Sequence, residues 1–156
     1  MSFSSDIKTE IITNLDDYDV LAMLSAFTKT IGTLNYNSLG VKITLKTESN
    51  PVARLIFANL KKLYNYECDM KVIHNNNLRK KNIYEILIDE KISKQFCDDT
   101  HTSTSPFDFD SGIDEEIIDT NIKKISFLQG AFLGTGFCYD PSKMYHLEMI
   151  FKQENV

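Results

Sequence analysis

The residues able to do chemistry in this chain are few and scattered. Its three histidines, His74, His101 and His146, fall on a predicted turn, in an acidic stretch and in a predicted strand. None stands at metal-ligand spacing from another histidine or from a cysteine. The three cysteines, Cys68, Cys97 and Cys138, are odd in number and far apart, with no Cys-x-x-Cys pair. Buried or incidental thiols in a reducing compartment are therefore expected. His101 with Asp98, Asp99, Asp108 and Asp110 has the composition to attract a stray cation, but a solvated loop would lose ordering entropy in holding it. No Gly-rich phosphate loop and no nucleophile elbow is present. On these residues the expectation is no catalytic residue, no metal and no cofactor.

What remains is a surface. Arg79, Lys80 and Lys81 stand together at a predicted hairpin tip with Lys71 nearby, and Lys42, Thr44 and Lys46 alternate with Val41, Ile43 and Leu45 along one predicted strand. Alternation sends the polar set to solvent or a ligand and the apolar set toward helices. Phosphate contact is the chemistry such a face offers; the plain alternative is lysines that solubilise a sheet edge. A net charge of −5 and a pI near 5.2 are not the footprint of a dedicated nucleic-acid-binding domain. DNA contact through this patch is expected to be salt-sensitive and weaker than about micromolar.

The elements that position this surface are legible in two stretches. Met23 to Gly32 reads Met-Leu-Ser-Ala-Phe-Thr-Lys-Thr-Ile-Gly, and Phe127 to Gly136 reads Phe-Leu-Gln-Gly-Ala-Phe-Leu-Gly-Thr-Gly. Laid over each other, Leu24 falls on Leu128, Ala26 on Gly130, Thr30 on Gly134, Gly32 on Gly136 and Ala22 on Ser126. Each stretch carries small residues at four-residue spacing, Ala22, Ala26 and Thr30 in one and Ser126, Gly130 and Gly134 in the other. Residues four apart share a helix face, and small side chains there let two backbones come unusually close. Glycine inside a helix costs ~1 kcal/mol relative to alanine, so two in one turn point to such an approach.

Each stretch is followed by a glycine, a short strand, a turn, a strand and an Asn-containing stop, which makes it an internal repeat. In order, the pattern predicts a helix over 3–13 with Ser4 and Ser5 as N-cap candidates, and a helix over 18–30 closed by Gly32 as a C-cap. A hairpin of 33–36 and 41–47 turns at Asn37-Ser38-Leu39-Gly40. A helix then starts at Asn50 with Pro51 in its first position, followed by strands at 68–73 and 83–88 and a short helix over 91–97. Residues 1–97 thus form one complete αββαββ repeat with an N-terminal helix, and 98–120 read as an acidic, flexible linker. Asn121 is expected to cap the second long helix. Residues 121–156 form a partial second repeat, with a strand over 145–151, that stops after its first hairpin. The fold class is α+β.

Leu128 to Gly136 resembles the LAGLIDADG helix of homing endonucleases. Met1-Ser-Phe-Ser-Ser-Asp at the start, Leu24-Ser25-Ala26, Phe127-Leu-Gln-Gly-Ala-Phe-Leu and Asp140-Pro141-Ser142-Lys143-Met144-Tyr145-His146-Leu147-Glu148 resemble the amino-terminal domain of bacterial WhiA regulators, over essentially the whole chain. The resemblance implies a homing-endonuclease-like fold with the two repeat helices packed at its centre. In active nucleases of that kind the eighth residue of each nine-residue motif is acidic, and the two acids hold divalent metal for phosphodiester hydrolysis. Here those positions are Ile31 and Thr135, and Asp140 lies beyond the turn with no counterpart after Gly32. The expectation is a domain that is not an enzyme.

The resemblance further implies a cytoplasmic, nucleoid-associated regulator of transcription in sporulation and cell division, bound to promoter DNA mainly through a helix-turn-helix that this sequence lacks. The chain then reads as a truncated or shortened form whose last hairpin leaves an apolar face uncovered. That face predicts a homodimer or a protein partner of a transcription complex. The alternative is a protein-interaction or dimerisation module with no nucleic-acid role. No apolar run approaches a membrane span and no charged leader opens the chain, so no membrane partner is expected.

Overall fold

Ser2 starts the first helix. Its hydroxyl accepts from Ser5 N at 3.1 Å, satisfying one of the orphan donors of a helix start, and α1 runs Phe3–Thr13. The cap is therefore Ser2 and not Ser4 or Ser5; Ser4 is buried instead. Asp19 does the same for α2 (Val20–Ile31), accepting from Ala22 N at 2.8 Å. Gly32 closes this helix as its C-cap, its N–H donating to Thr28 O, but not in the left-handed conformation that a glycine cap commonly takes. At φ −85° it leads straight into β1 (Gly32–Asn37). Glycine is needed there for space, since a Cβ would collide with the carbonyl oxygen of Thr28.

The computed structural model describes residues 2–74, 81–102 and 112–152. β1 pairs antiparallel with β2 (Gly40–Thr47), and Asn37 faces Gly40 across the turn. Asn37 Oδ1 accepts from Leu39 N at 2.8 Å, and Gly40 takes φ +134°, which a side chain would strain. α3 (Asn50–Tyr64) is capped by Ser49 with Pro51 in its first turn and ends at Asn65 in the left-handed region. β3 (Asp69–His74) and β4 (Asn82–Ile88) follow, then α4 (Glu90–Thr100). The sheet order is β1-β2-β4-β3, antiparallel throughout.

One face of the sheet is buried by helices. Ile43, Leu45, Ile86 and Ile88 from the two central strands meet Met23, Leu24 and Phe27 of α2, Ile56 and Leu60 of α3, and Phe96 of α4. Each such side chain contributes about 1.5–3 kcal/mol by leaving water. The interval 98–120, expected as a linker, is structured at both described ends. Asp98 to Thr100 extend α4, His101 caps it in the left-handed region, and Thr100 and Thr102 are fully buried with their hydroxyls 2.9 Å apart. A 3₁₀ turn at Glu115–Ile117 buries Ile117. Asp108, Asp110 and the rest of 103–111 lie outside the described residues.

α5 (Asn121–Thr135) is capped by Thr120, which accepts from Lys123 N at 3.2 Å, so Asn121 is its first residue and not its cap. α2 and α5 make the most extensive helix–helix contact in the molecule. A Cβ on Gly130 would lie 2.7 Å from the Met23 carbonyl oxygen and 3.0 Å from Ala26 Cβ, and one on Gly134 would collide with Thr30 Oγ1. Ala22, Ala26 and Ser126 are buried along the same seam, where Ser126 Oγ accepts from Asp19 N at 2.8 Å.

After α5 the repeat fails. β5 (Phe137–Cys138) pairs only with β6 (Leu147–Glu148), apart from the four-stranded sheet. Among the described residues the strand expected over 145–151 is thus reduced to two paired residues, Leu147–Glu148. Its continuation folds back instead. Phe151 stacks on Phe127 with ring centres 6.5 Å apart, and Lys152 N donates to Lys29 O at 3.2 Å.

Two outcomes follow from this packing. Gly130→Val should lower the melting temperature by about 5 °C or more, an overpacking cost of ~2 kcal/mol, while Lys124→Ala on the exposed side should leave it unchanged; thermal unfolding followed by circular dichroism reads both. Burial pushes the Cys68 thiol up to about 11 and raises Cys97 as well, so at neutral pH a thiol reagent should modify the partly exposed Cys138 first. Equal labelling rates for all three cysteines would contradict the packed core.

Candidate nucleic-acid interface and the helix-end site

The sheet's outer face is built by register. In an antiparallel ladder, directly opposed residues project to the same side. Lys46 stands opposite Glu85, and Glu85 opposite Lys71 on the edge strand β3. Lys46 Nζ lies 3.0 Å from Glu85, Lys42 Nζ 3.8 Å from Glu90, and Lys81 Nζ 3.7 Å from Glu48. The Asn37 amide, and to a smaller degree Lys42, hold the Glu90 carboxyl below the usual carboxylate range. Exposed pairs of this kind stabilise by about 0–1 kcal/mol. Their larger effect is to offset the positive charge that a phosphate would seek.

Thr44 departs from expectation. It is only 6% exposed, and its hydroxyl accepts from Asn35 Nδ2 at 3.2 Å. β2 is a central strand flanked on both sides, so a short side chain in its middle is covered by its neighbours. Lys71 is exposed on the edge strand. Arg79 and Lys80 lie outside the described residues, so the structure joins only Lys42, Lys46, Lys71 and Lys81 of the basic set to this sheet and its edge.

At the ends of the paired helices, the positions that would carry metal-binding acids are occupied otherwise. Ile31 is buried in the core. Thr135 Oγ1 donates to Ile150 O at 2.7 Å and accepts from Ile150 N at 3.0 Å. Asp140 turns its carboxylate onto its own loop, accepting from Ser142 Oγ at 2.7 Å and Ser142 N at 2.9 Å, and these bonds hold its carboxyl below the usual range.

The histidines are placed apart. His101 Nδ1 lies 3.0 Å from Asp114 Oδ2 and Nε2 lies 3.8 Å from Glu116 Oε2. Hydrogen bonds from Glu116 N and then from His101 hold the Asp114 carboxyl below its ordinary value. One imidazole thus turns a different nitrogen to each acid, and one ligand atom from each of His101, Asp114 and Glu116 lies within 4.8 Å of the others. Asp99, expected near His101, accepts from Tyr64 Oη at 2.9 Å instead. His74 meets Asn82 and His146 meets Glu148.

Two lysines escaped the sequence reading. Lys29 is 1% exposed within α2, and its charge adds to the field on Asp114. Lys8 is half-buried on α1, its ammonium 5.8 Å from the centre of the Phe132 ring. The available signal for Lys8 was its position four residues after Ser4, on the helix face that Ser4 buries. Lys8, Lys46 and Lys81 all line a cleft of about 770 Å³ that reaches Gly134 and Gly136 at the end of α5.

Comparison with known proteins agrees with this architecture. The WhiA N-terminal LAGLIDADG-like domain matches residues 19–102, from the α2 cap to buried Thr102, and the WhiA LAGLIDADG-like domain matches residues 124–156. The chain is 34% identical over 156 residues to a probable cell division protein WhiA of Clostridium perfringens, covering 96% of this chain and 49% of that protein. It is 37% identical over 150 residues to the Streptococcus mutans protein of the same name, covering 96% and 48%. The chain spans about half the length of the curated relatives it matches. The crystal structure of the N-terminal LAGLIDADG domain of WhiA aligns with a TM-score of 0.69 at 25% identity, over 98% of this chain and 68% of that one. Full-length WhiA from Thermatoga maritima gives 0.69 at 23% identity, over 99% and 46%, a likeness of fold. With both repeats matched and the paired helices in place, the chain belongs to the WhiA family and has its LAGLIDADG-like α+β fold.

Proposed function

We propose that this chain is the catalytically inactive, LAGLIDADG-like part of a WhiA-type transcription regulator acting in cell division and sporulation, and that it serves there as a scaffold. The observation that carries the reading is the loss of both carboxylates at the helix ends. Ile31 is packed into the core and Thr135 is held by the backbone of Ile150. At these helix ends the described residues bring no carboxylate oxygens together to cradle the hard divalent cation that such hydrolysis requires. The curated relatives carry the name of a cell division protein, which supports the cellular role. A cytoplasmic, nucleoid-associated location is part of the same proposal; no helix among the described residues is long and apolar enough to cross a membrane.

DNA contact by this part is weak in our reading, because Lys42, Lys46 and Lys81 already face Glu90, Glu85 and Glu48. Tight promoter recognition then belongs to another part of a complete WhiA protein. A second reading, a dimerisation or partner-binding module, is favoured by one feature. Ile122, Ile125 and Leu128 of α5 are each more than half exposed at three-residue spacing, and Tyr145, Leu147 and Ile150 are exposed on the hairpin segment. Apolar side chains so arranged fit a second copy of the chain or a protein partner.

The readings separate in one experiment. Duplex DNA titrated at low and at physiological salt, with and without Mg²⁺, should give no nicking and, at most, binding that falls steeply with salt. Lys46→Gln with Lys81→Gln should abolish what low-salt binding there is. Mg²⁺-dependent cleavage would overturn the inactive-scaffold proposal, and a stable dimer indifferent to DNA would move the assignment to the second reading.

A further inference from the structure

The cleft at the end of α5 carries chemistry that the paired outer face of the sheet does not. Its walls come from the first turns of α1, the β2–α3 connection, the start of β4, and Gly134, Gly136 and Phe137. At about 770 Å³ it falls in the ~300–1,000 Å³ range of small-molecule sites. Among the described residues three lysines, Lys8, Lys46 and Lys81, and one acid, Glu48, line it, a local excess of positive charge in a chain whose net charge is −5.

Lys8 is the distinctive member. Lys46 and Lys81 are more than half exposed and have Glu85 and Glu48 as partners. Among the described residues Lys8 forms no ion pair within 4 Å; its ammonium sits over Phe132, with burial weighing against its charge and Cys138 and Glu48 acting on it more strongly than Lys81. A partly desolvated cation with no carboxylate in direct contact gains from an anion that completes it.

The hydroxyls around it are suited to an anion. Ser2 Oγ accepts from Ser5 N, Thr47 Oγ1 from Ser49 N, and Ser49 Oγ from Val52 N, at 3.1, 3.1 and 3.3 Å. Each oxygen is used as an acceptor, which leaves its own proton to donate outward. The cleft therefore offers cationic and hydroxyl donors, with Glu48 as its one carboxylate.

We propose that this cleft binds a small phosphomonoester, with Lys8 as the inner anchor and Lys46, Lys81 and the Ser2 and Ser49 hydroxyls around the phosphate. A monoester carries about −1.5 to −2 at neutral pH, which matches the lining; a backbone phosphodiester carries one charge and needs only an open surface. Lys46 and Lys81 serve in both this proposal and the DNA reading above, and the two are told apart by Lys8, which lines this cleft and is not on the sheet's outer face.

The test titrates the whole chain with inorganic phosphate, glycerol phosphate and adenosine monophosphate at constant ionic strength, read by calorimetry and by amide NMR shifts. At least one monoester should bind and move the Ser4, Ser5 and Ser49 amides. Lys8→Met keeps the stem over Phe132 while removing the charge, and should weaken binding about tenfold or more with the melting temperature little changed. Three results would each overturn the proposal: no monoester binds, Lys8→Met binds as the wild type does, or duplex DNA alone shifts those amides and no monoester competes with it. Monoester binding in the absence of any DNA affinity would leave the proposal standing while ending the DNA reading.

Discussion

The approach of α2 to α5 is the constraint on which the rest depends. Gly130 lies where any side chain would enter the Met23 carbonyl, and Gly134 lies against the Thr30 hydroxyl. The seam therefore fixes the two helices in a single register, since sliding either would drive a side chain into backbone. Ser126 adds a directional bond to Asp19 N, the residue that caps α2. Helix start and helix pairing are thus set by neighbouring groups. From that seam α2 delivers Met23, Leu24 and Phe27 onto the sheet, and the four strands acquire their buried face.

The two repeats share the seam and then diverge. Leu24 is fully buried under its sheet, whereas Leu128, its counterpart, is 55% exposed. The difference is not in the residue, which is leucine in both. It lies in what is packed against each: Leu24 belongs to the core cluster under the four-stranded sheet, whereas Leu128 belongs to neither buried cluster. Burial is a property of the assembly, and the same sequence signal gives a core residue or an exposed one according to its surroundings.

Electrostatics sorts the lysines into three groups. Lys42, Lys46 and Lys81 meet acids at 3.0 to 3.8 Å, which offsets part of their charge. Lys29 is drawn inside α2, where its field reaches Asp114. Lys8 is half-buried over an aromatic ring without a carboxylate. A count of lysines treats these alike; solvation and the nearest acid make them chemically different.

The sequence by itself determined the elements and their pairing logic. Period-two alternation marked β2, proline and serine marked the start of α3, and four-residue spacing of small side chains marked the faces of α2 and α5. These signals are local, written within a turn or two of chain, and so can be read without the fold. The family was legible for the same reason, from contiguous motifs around Phe127–Gly136 and Asp140–Glu148. Tertiary structure alone decided the rest. Whether Thr44 faces a ligand or lies covered beside Asn35, and which acid neutralises which lysine, depend on residues far apart in sequence. Lys8 joins Lys46 and Lys81 around one cleft only because α1, packed against α3, α5 and β5, brings its first turns beside the end of β2 and the start of β4. No spacing along the chain encodes that meeting, because it is the packing of the helices on the sheet that brings the three together.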